Sequence, residues 1–156
     1  MELTIEQALQ QGLAAHKEGM LQEAERLYKA ILQAEPTHPD ANHNLGVIAV
    51  SVNKVELALP LLKIALEANP KKEQFWFSYI DALIREKQVD NAKQVFEQAK
   101  KNGVAGEKVK ALEEQLTLIT QIPRPTLPVQ KKSLTLLEKR KKLAEQTKQK
   151  NNPVKR

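Results

Sequence analysis

Apolar residues recur along this chain at three- and four-residue steps, in stretches broken by proline, glycine and polar residues. That spacing puts them on one face of amphipathic helices. The predicted helices run from the Thr4 cap to about residue 17, then over 21–34, 40–52, 56–68, 73–86, 90–101 and 107–121. The first opens on a capping box, Thr4 with Gln7 three residues on, and stops at Gly19. The second carries Leu27, Tyr28, Ile31 and Leu32 on one face and ends before Pro36. Pro39 leads into the third, Pro70 closes the fourth, and Asn102-Gly103 ends the sixth. Pro60 falls early in the fourth helix, where a lost donor costs less than mid-helix, and predicts a slight kink rather than a break. The last helix has Val109, Leu112, Leu116 and Ile119 as its stripe.

The helices come in pairs, and the pairs repeat. Gly12 and Gly46 are 34 residues apart, as are Ala24, Ala58 and Ala92, Tyr28, Leu62 and Phe96, Ile31, Ala65 and Ala99, and Pro36 and Pro70. A helix-turn-helix unit of this size cannot bury its own apolar face, so it stacks on neighbours and the same contact points must recur. Small residues are expected where backbones approach: Gly12 and Gly46 between the helices of a pair, and the alanine column where the second helix nests. Tyr28, Leu62 and Phe96 are expected to fill the space between units, each contributing about 1.5 to 3 kcal/mol when buried.

These columns resemble the tetratricopeptide repeat family over residues 5 to about 104. The middle repeat matches best, with Leu45-Gly46, Ala49, Ala58, Leu62, Ala65-Leu66 and Pro70. The third departs, with Tyr79-Ile80 in place of Leu-Gly and Val104 in place of the proline, although Trp76 supplies the large residue. Wider helix packing and a less regular exit are expected there. The resemblance implies an all-α, right-handed superhelical solenoid of three repeats (about 5–38, 39–72 and 73–106), closed by a capping helix at 107–121. Residues 1–121 then form the repeat domain, 122–130 a proline-rich linker and 131–156 a basic tail able to form a helix.

Family members bind peptides in the groove lined by the first helix of each repeat. Carried over by column, that face holds Leu9, Gln10, Leu13, His16 and Lys17, then His43, Asn44, Val47, Val50 and Ser51, then Phe77, Ser78, Asp81, Ile84 and Arg85. The competing reading is that Leu13, Val47, Phe77 and Ile84 are ordinary packing residues, since one helical turn separates groove from core. The branch that grips chaperone C-termini needs Lys and Asn in the first repeat, Asn in the second, and Lys and Arg in the third. Only Asn44 fits, with Leu9, Leu13, Gln74 and Ser78 at the other columns. A second branch, the long-array protein glycosyltransferases, lines its groove with an asparagine in each repeat; Gln10, Asn44 and Ser78 stand there. The stretch Ala41-Asn42-His43-Asn44-Leu45-Gly46 resembles repeats preceding bacterial glycosyltransferase or sulfotransferase domains. An alternative reading therefore makes the chain the N-terminal recruiting module of such an enzyme.

Composition narrows the rest. Aromatics make up only 4% of the chain and there is no cysteine, which excludes disulfides, thiolate metal sites and cysteine nucleophiles. No His-Glu-x-x-His, glycine-rich phosphate loop or Gly-x-Ser-x-Gly is present. His16 and His43 with Asp40 could approach a metal-binding arrangement, but groove and surface histidines are the preferred reading, and no cofactor, metal or enzymatic activity is expected. The N-terminus carries two glutamates and no basic cluster before an apolar run, so a soluble, cytoplasmic chain is expected. The net charge of +6 is unevenly placed: residues 1–106 hold 12 Lys and Arg against 14 Asp and Glu, whereas residues 122–156 hold 11 against 2. Lys139, Arg140, Lys141 and Lys142 form a basic run that could attract nucleic acid, acidic membrane or an acidic partner. The absence of aromatics in the tail argues against single-strand stacking. Self-association through the C-terminal helices is a further possibility. The leading expectation is a scaffold that binds a protein or peptide partner in the repeat groove.

Overall fold

The structure, a computed structural model, describes residues 2–122 and Lys141. The chain divides into two units, Met1–Ile119 and Thr120–Arg156. Apart from Ile122 and Lys141, the expected linker and basic tail lie outside the described residues, Lys139, Arg140 and Lys142 among them. Lys141 is exposed.

Among the described residues up to Ile122, seven helices follow in order: α1 (Ile5–Lys17), α2 (Leu21–Ala34), α3 (Pro39–Ser51), α4 (Val55–Ala68), α5 (Glu73–Arg85), α6 (Val89–Lys101) and α7 (Glu107–Gln121). They form an all-α solenoid of helix-turn-helix units. The capping box is made in both directions: Gln7 N–H donates to Thr4 Oγ1 at 3.1 Å, and Thr4 N–H to Gln7 Oε1 at 3.0 Å. α4 runs through Pro60 unbroken, with the proline exposed in its second turn.

The turns inside the repeats share one geometry. After α1, α3 and α5 the residue past the cap is left-handed: Gly19 at φ 79°, Asn53 at 61° and Lys87 at 59°. In each case its N–H and that of the next residue donate back to the last turn, as in Met20 to the Ala15 carbonyl, Lys54 to Ala49 and Gln88 to Leu83. This is the Schellman arrangement, which satisfies carbonyls a helix end leaves open. The positions 19, 53 and 87 keep the 34-residue period, though they share no residue type. The third repeat ends the same way, with Gly103 at φ 88° and Val104 N–H donating to the Ala99 carbonyl at 3.1 Å. Its irregular exit thus contains an ordered stop in place of proline.

The glycine and alanine columns do what close packing requires. A Cβ on Gly12 would lie 2.6 Å from Tyr28 Cε1, and one on Gly46 would lie 2.8 Å from Leu62 Cγ. Tyr28 and Leu62 therefore press on the glycine of their own repeat. Tyr28 also shares a core cluster with Ala41, Leu45 and Ile48 of the next repeat, so the expected filling between units is only half of its role. Ala24, Ala58 and Ala92 are all 0% exposed. In the third repeat, Ile80 replaces the glycine and is fully buried in one cluster with Phe96. That cluster takes in Val109 and Leu116 of α7, with Leu112 against it. α7 thus covers the apolar end that a terminal repeat would leave open.

Polar side chains tie the repeat junctions. Asn42 Nδ2 donates to the carbonyls of Pro36 at 3.0 Å and His38 at 2.9 Å, and Trp76 Nε1 donates to the Pro70 carbonyl at 2.8 Å. Both donors and both acceptors are 34 apart, so one device closes both loops with unrelated residue types. Asn42 is 1% exposed, and burying its amide is tolerable because these bonds are made. Lys72 Nζ, at the second of these junctions, pairs with Asp40 Oδ1, at the first, at 2.6 Å.

Candidate groove on the first-helix face

α3 and α5 are the first helices of adjacent repeats, and a hollow of about 370 Å³ opens between them. It is lined by Val47, Val50 and Ser51 of α3, Ser78, Asp81 and Arg85 of α5, and Leu62 from α4 below. One helical turn separates Asp81 from Arg85, which brings them together: Arg85 Nε donates to Asp81 Oδ2 at 2.8 Å. Both side chains are half or more exposed, so the pair adds little stability and remains available to a ligand. The floor is apolar and the rim carries two hydroxyls, a carboxylate and a guanidinium, the mixture expected of a recognition site.

The structure distributes the remaining column residues unevenly. Asn44 is half-buried beside the hollow's α3 wall residues, and Leu13 and Lys17 are exposed on α1. Leu13, at 45% exposure, is not core. Phe77 and Ile84 are half-buried against the third repeat's core, and Lys108 of α7 lies 5.9 Å from the Phe77 ring centroid. His16 is half-buried, edge-on to Tyr28 with centroids 6.4 Å apart.

His43 is placed differently from what its column implies. It is 4% exposed, with its ring against Phe75 at 4.7 Å between centroids. Nε2 stands 2.8 Å from Ser78 Oγ on α5, and Nδ1 stands 3.3 Å from Asn44 Oδ1. Burial holds its pKa below the ordinary 6.5, opposed by the Asn44 contact and by Asp40, and reinforced by Lys72 and His16. Ser78, His43 and Asn44 thus stand in the order of a nucleophile, a base and an orienting group. Ser78 sits in the interior of α5, however, where neighbouring backbone N–H groups are committed to the helix and none can face an oxyanion. Among the described residues, no group of three or more His, Cys, Asp or Glu could hold a metal ion, and no helix is long and apolar enough to cross a membrane.

The sequence reading singled out Ser78 but missed what holds it, and it missed Leu62 as part of the hollow and Lys108 as a neighbour of Phe77. It also missed a larger hollow, about 520 Å³, between the second helices α4 and α6, with Trp76, Tyr79 and Leu83 among its lining residues. A counterpart of about 150 Å³ lies one repeat earlier, where Leu45 and Ala49 take the places of Tyr79 and Leu83.

Comparison with known proteins agrees with this architecture. A tetratricopeptide repeat model matches residues 43–105. No curated protein matches the sequence. MamA of strain MSR-1 is 31% identical, with a TM-score of 0.55 over 62% of this chain and 56% of that one. The first tetratricopeptide domain of Spaghetti (RPAP3), bound to an HSP90 peptide, is 16% identical with a TM-score of 0.65, covering 72% of this chain and 92% of that one. The Yersinia enterocolitica type III secretion chaperone SycD, in complex with a peptide of the translocator YopD, is 15% identical with a TM-score of 0.62, covering 75% and 89%. The last two are likenesses of fold alone, and no likeness carries a glycosyltransferase or sulfotransferase activity onto this chain. The chain therefore has the tetratricopeptide repeat fold, and is similar to MamA over a span of little more than half that protein's chain.

Proposed function

We propose that this chain is an interaction scaffold that holds a peptide segment of a partner protein along its first-helix face. The observation that carries the reading is the hollow between α3 and α5, where Val47, Val50 and Leu62 can receive an apolar side chain and Ser78, Asp81 and Arg85 can bond a backbone. Its volume of about 370 Å³ is of the size ligand sites have. Two proteins of like fold, RPAP3 and SycD, hold peptides, which supports the same use here. The segment is not expected to be a chaperone C-terminus, because Leu9, Leu13, Gln74 and Ser78 occupy columns where a carboxylate clamp needs cations and amides. A recruiting module within a larger enzyme would use this same groove. The basic tail supports a second reading, since 11 of the last 35 residues are Lys or Arg against 2 acidic ones.

Affinity capture from the native lysate separates these readings, using the wild type, Val47→Asp, and a chain truncated after Gln121. Partners lost with Val47→Asp and kept by the truncated chain are the expected result. Partners indifferent to Val47→Asp would sink the groove reading, and partners lost on truncation, in a salt-sensitive way, would transfer recognition to the tail.

A further inference from the structure

Ser78 has two surroundings. It lines the groove, and its Oγ lies 2.8 Å from Nε2 of the buried His43 ring. The other ring nitrogen, Nδ1, faces the amide oxygen of Asn44 at 3.3 Å. An amide oxygen can only accept, so the proton of a neutral ring belongs on Nδ1, and Nε2 is left as a bare acceptor. Ser78 must then donate its single hydroxyl hydrogen to Nε2. That leaves only lone pairs on Ser78 for the groove, beside the Asp81 carboxylate in the same hollow.

We propose that His43 sets the hydrogen-bonding character of the groove through Ser78: with a neutral ring the groove takes a peptide whose backbone N–H meets Ser78 Oγ, and a protonated ring reverses the bond and favours an acceptor there. The inference rests on the peptide-binding reading and adds to it which group the partner must offer. In the protonated ring both nitrogens are donors, so Nε2–H donates to Ser78 Oγ and the hydroxyl hydrogen is free to face a carbonyl or carboxylate. The charged and titratable groups around the ring are Asp40 on α3, Lys72 at the start of α5 and His16 on α1. Asp40 favours the proton, Lys72 and His16 oppose it, and burial opposes it most. The reversal therefore belongs to the acid side of the ordinary histidine range.

The test has two arms on the full chain. Long-range proton–nitrogen correlation of the 15N-labelled protein at about pH 8 reads the tautomer. Nδ1–H with a bare Nε2 is expected, and the opposite tautomer overturns the proposal. In the second arm, a displayed library of random peptides is selected on the chain at the same pH, keeping peptides whose binding is lost with Val47→Asp. Backbone N-methylation is then scanned along one such peptide. One position should weaken binding by about 3- to 10-fold in the wild type, the worth of one hydrogen bond, and by little in Ser78→Ala. At a lower pH, chosen where the same correlation shows both ring nitrogens protonated, that same methylation should lose its effect in the wild type. A scan identical in wild type and Ser78→Ala, or unchanged by pH, sinks this inference while leaving groove binding intact. Failure to select any groove-dependent peptide instead removes the peptide-binding reading, and this inference with it.

Discussion

The contact between Gly46 and Leu62 allows a quantitative test of how the repeat packs. A Cβ added at Gly46 would stand 2.8 Å from both Cγ and Cδ2 of Leu62, and 3.5 Å from the Ala58 carbonyl oxygen. Carbon atoms settle at about 3.5 to 4.0 Å, so one partner must move by roughly 1 Å. Leu62 cannot swing clear, because Cγ is its branch point, it is 1% exposed, and it shares its cluster with Val55, Ala58 and Ala82. Overpacking of this kind costs about 1 to 3 kcal/mol, and alanine's helix propensity over glycine returns about 1 kcal/mol. Gly46→Ala should therefore destabilise the wild type by about 0 to 2 kcal/mol, whereas Leu62→Ala alone should cost about 2 to 5 kcal/mol. With Leu62→Ala in place the obstruction is gone, and Gly46→Ala should stabilise by about 1 kcal/mol. The double-mutant cycle should thus yield a favourable coupling of about 1 to 3 kcal/mol. Urea unfolding followed by circular dichroism and by the fluorescence of Trp76, the only tryptophan, reads all four proteins. Additivity within about 0.5 kcal/mol, or stabilisation by Gly46→Ala in the wild type, would refute the packing argument.

Three other outcomes follow from particular residues. Lys87 holds a left-handed φ of 59° at the position Gly19 fills in the first repeat; because that conformation costs an L-residue about 1 to 2 kcal/mol, Lys87→Gly should raise the unfolding midpoint in urea. The Tyr28 hydroxyl is buried with no hydrogen-bond partner among the described residues, and burial pushes its pKa from 10.0 to about 12. Tyr28→Phe should leave stability unchanged or raise it, by up to about 1 to 3 kcal/mol. The wild type keeps its phenol proton where the unfolded chain has lost it, so stability should fall as pH rises from 10 to about 12, and denaturation profiles of Tyr28→Phe should lack that fall. His43 has the opposite sign: its depressed pKa means its contribution is complete above 6.5 and is lost as pH falls through the folded-state value. His43→Phe, which imitates Phe77 one repeat on, should flatten stability against pH just below 6.5, and an unchanged slope would show that the ring is not the titrating group.

How much of this was legible in advance depends on how far apart the cooperating groups lie in the chain. The helices, their pairing and their 34-residue period could be read from local signals, because proline, glycine and apolar spacing act within one or two turns. The predicted boundaries differ from the observed ones by a residue or so. For α3 the prediction began at Asp40, whereas the helix starts at Pro39, a residue whose fixed φ already suits a first helical position. The all-α class and the stacking of repeats followed, because units too small to bury their own faces have few other arrangements.

Other features depended on the tertiary structure, and they share a physical cause. Asn42 and Trp76 have little chemistry in common, yet both donate to a proline carbonyl six residues earlier because the loop leaves that carbonyl within reach. Lys87 adopts a glycine's conformation because the packed helices impose the turn, overriding its intrinsic preference. His43 and Ser78 are 35 residues apart in sequence and bond only because successive first helices stand side by side. A periodic pattern specifies which faces must be buried. It cannot specify, within one turn of helix, which polar side chain at the border turns inward and which meets the groove, because that is decided by the distances between helices.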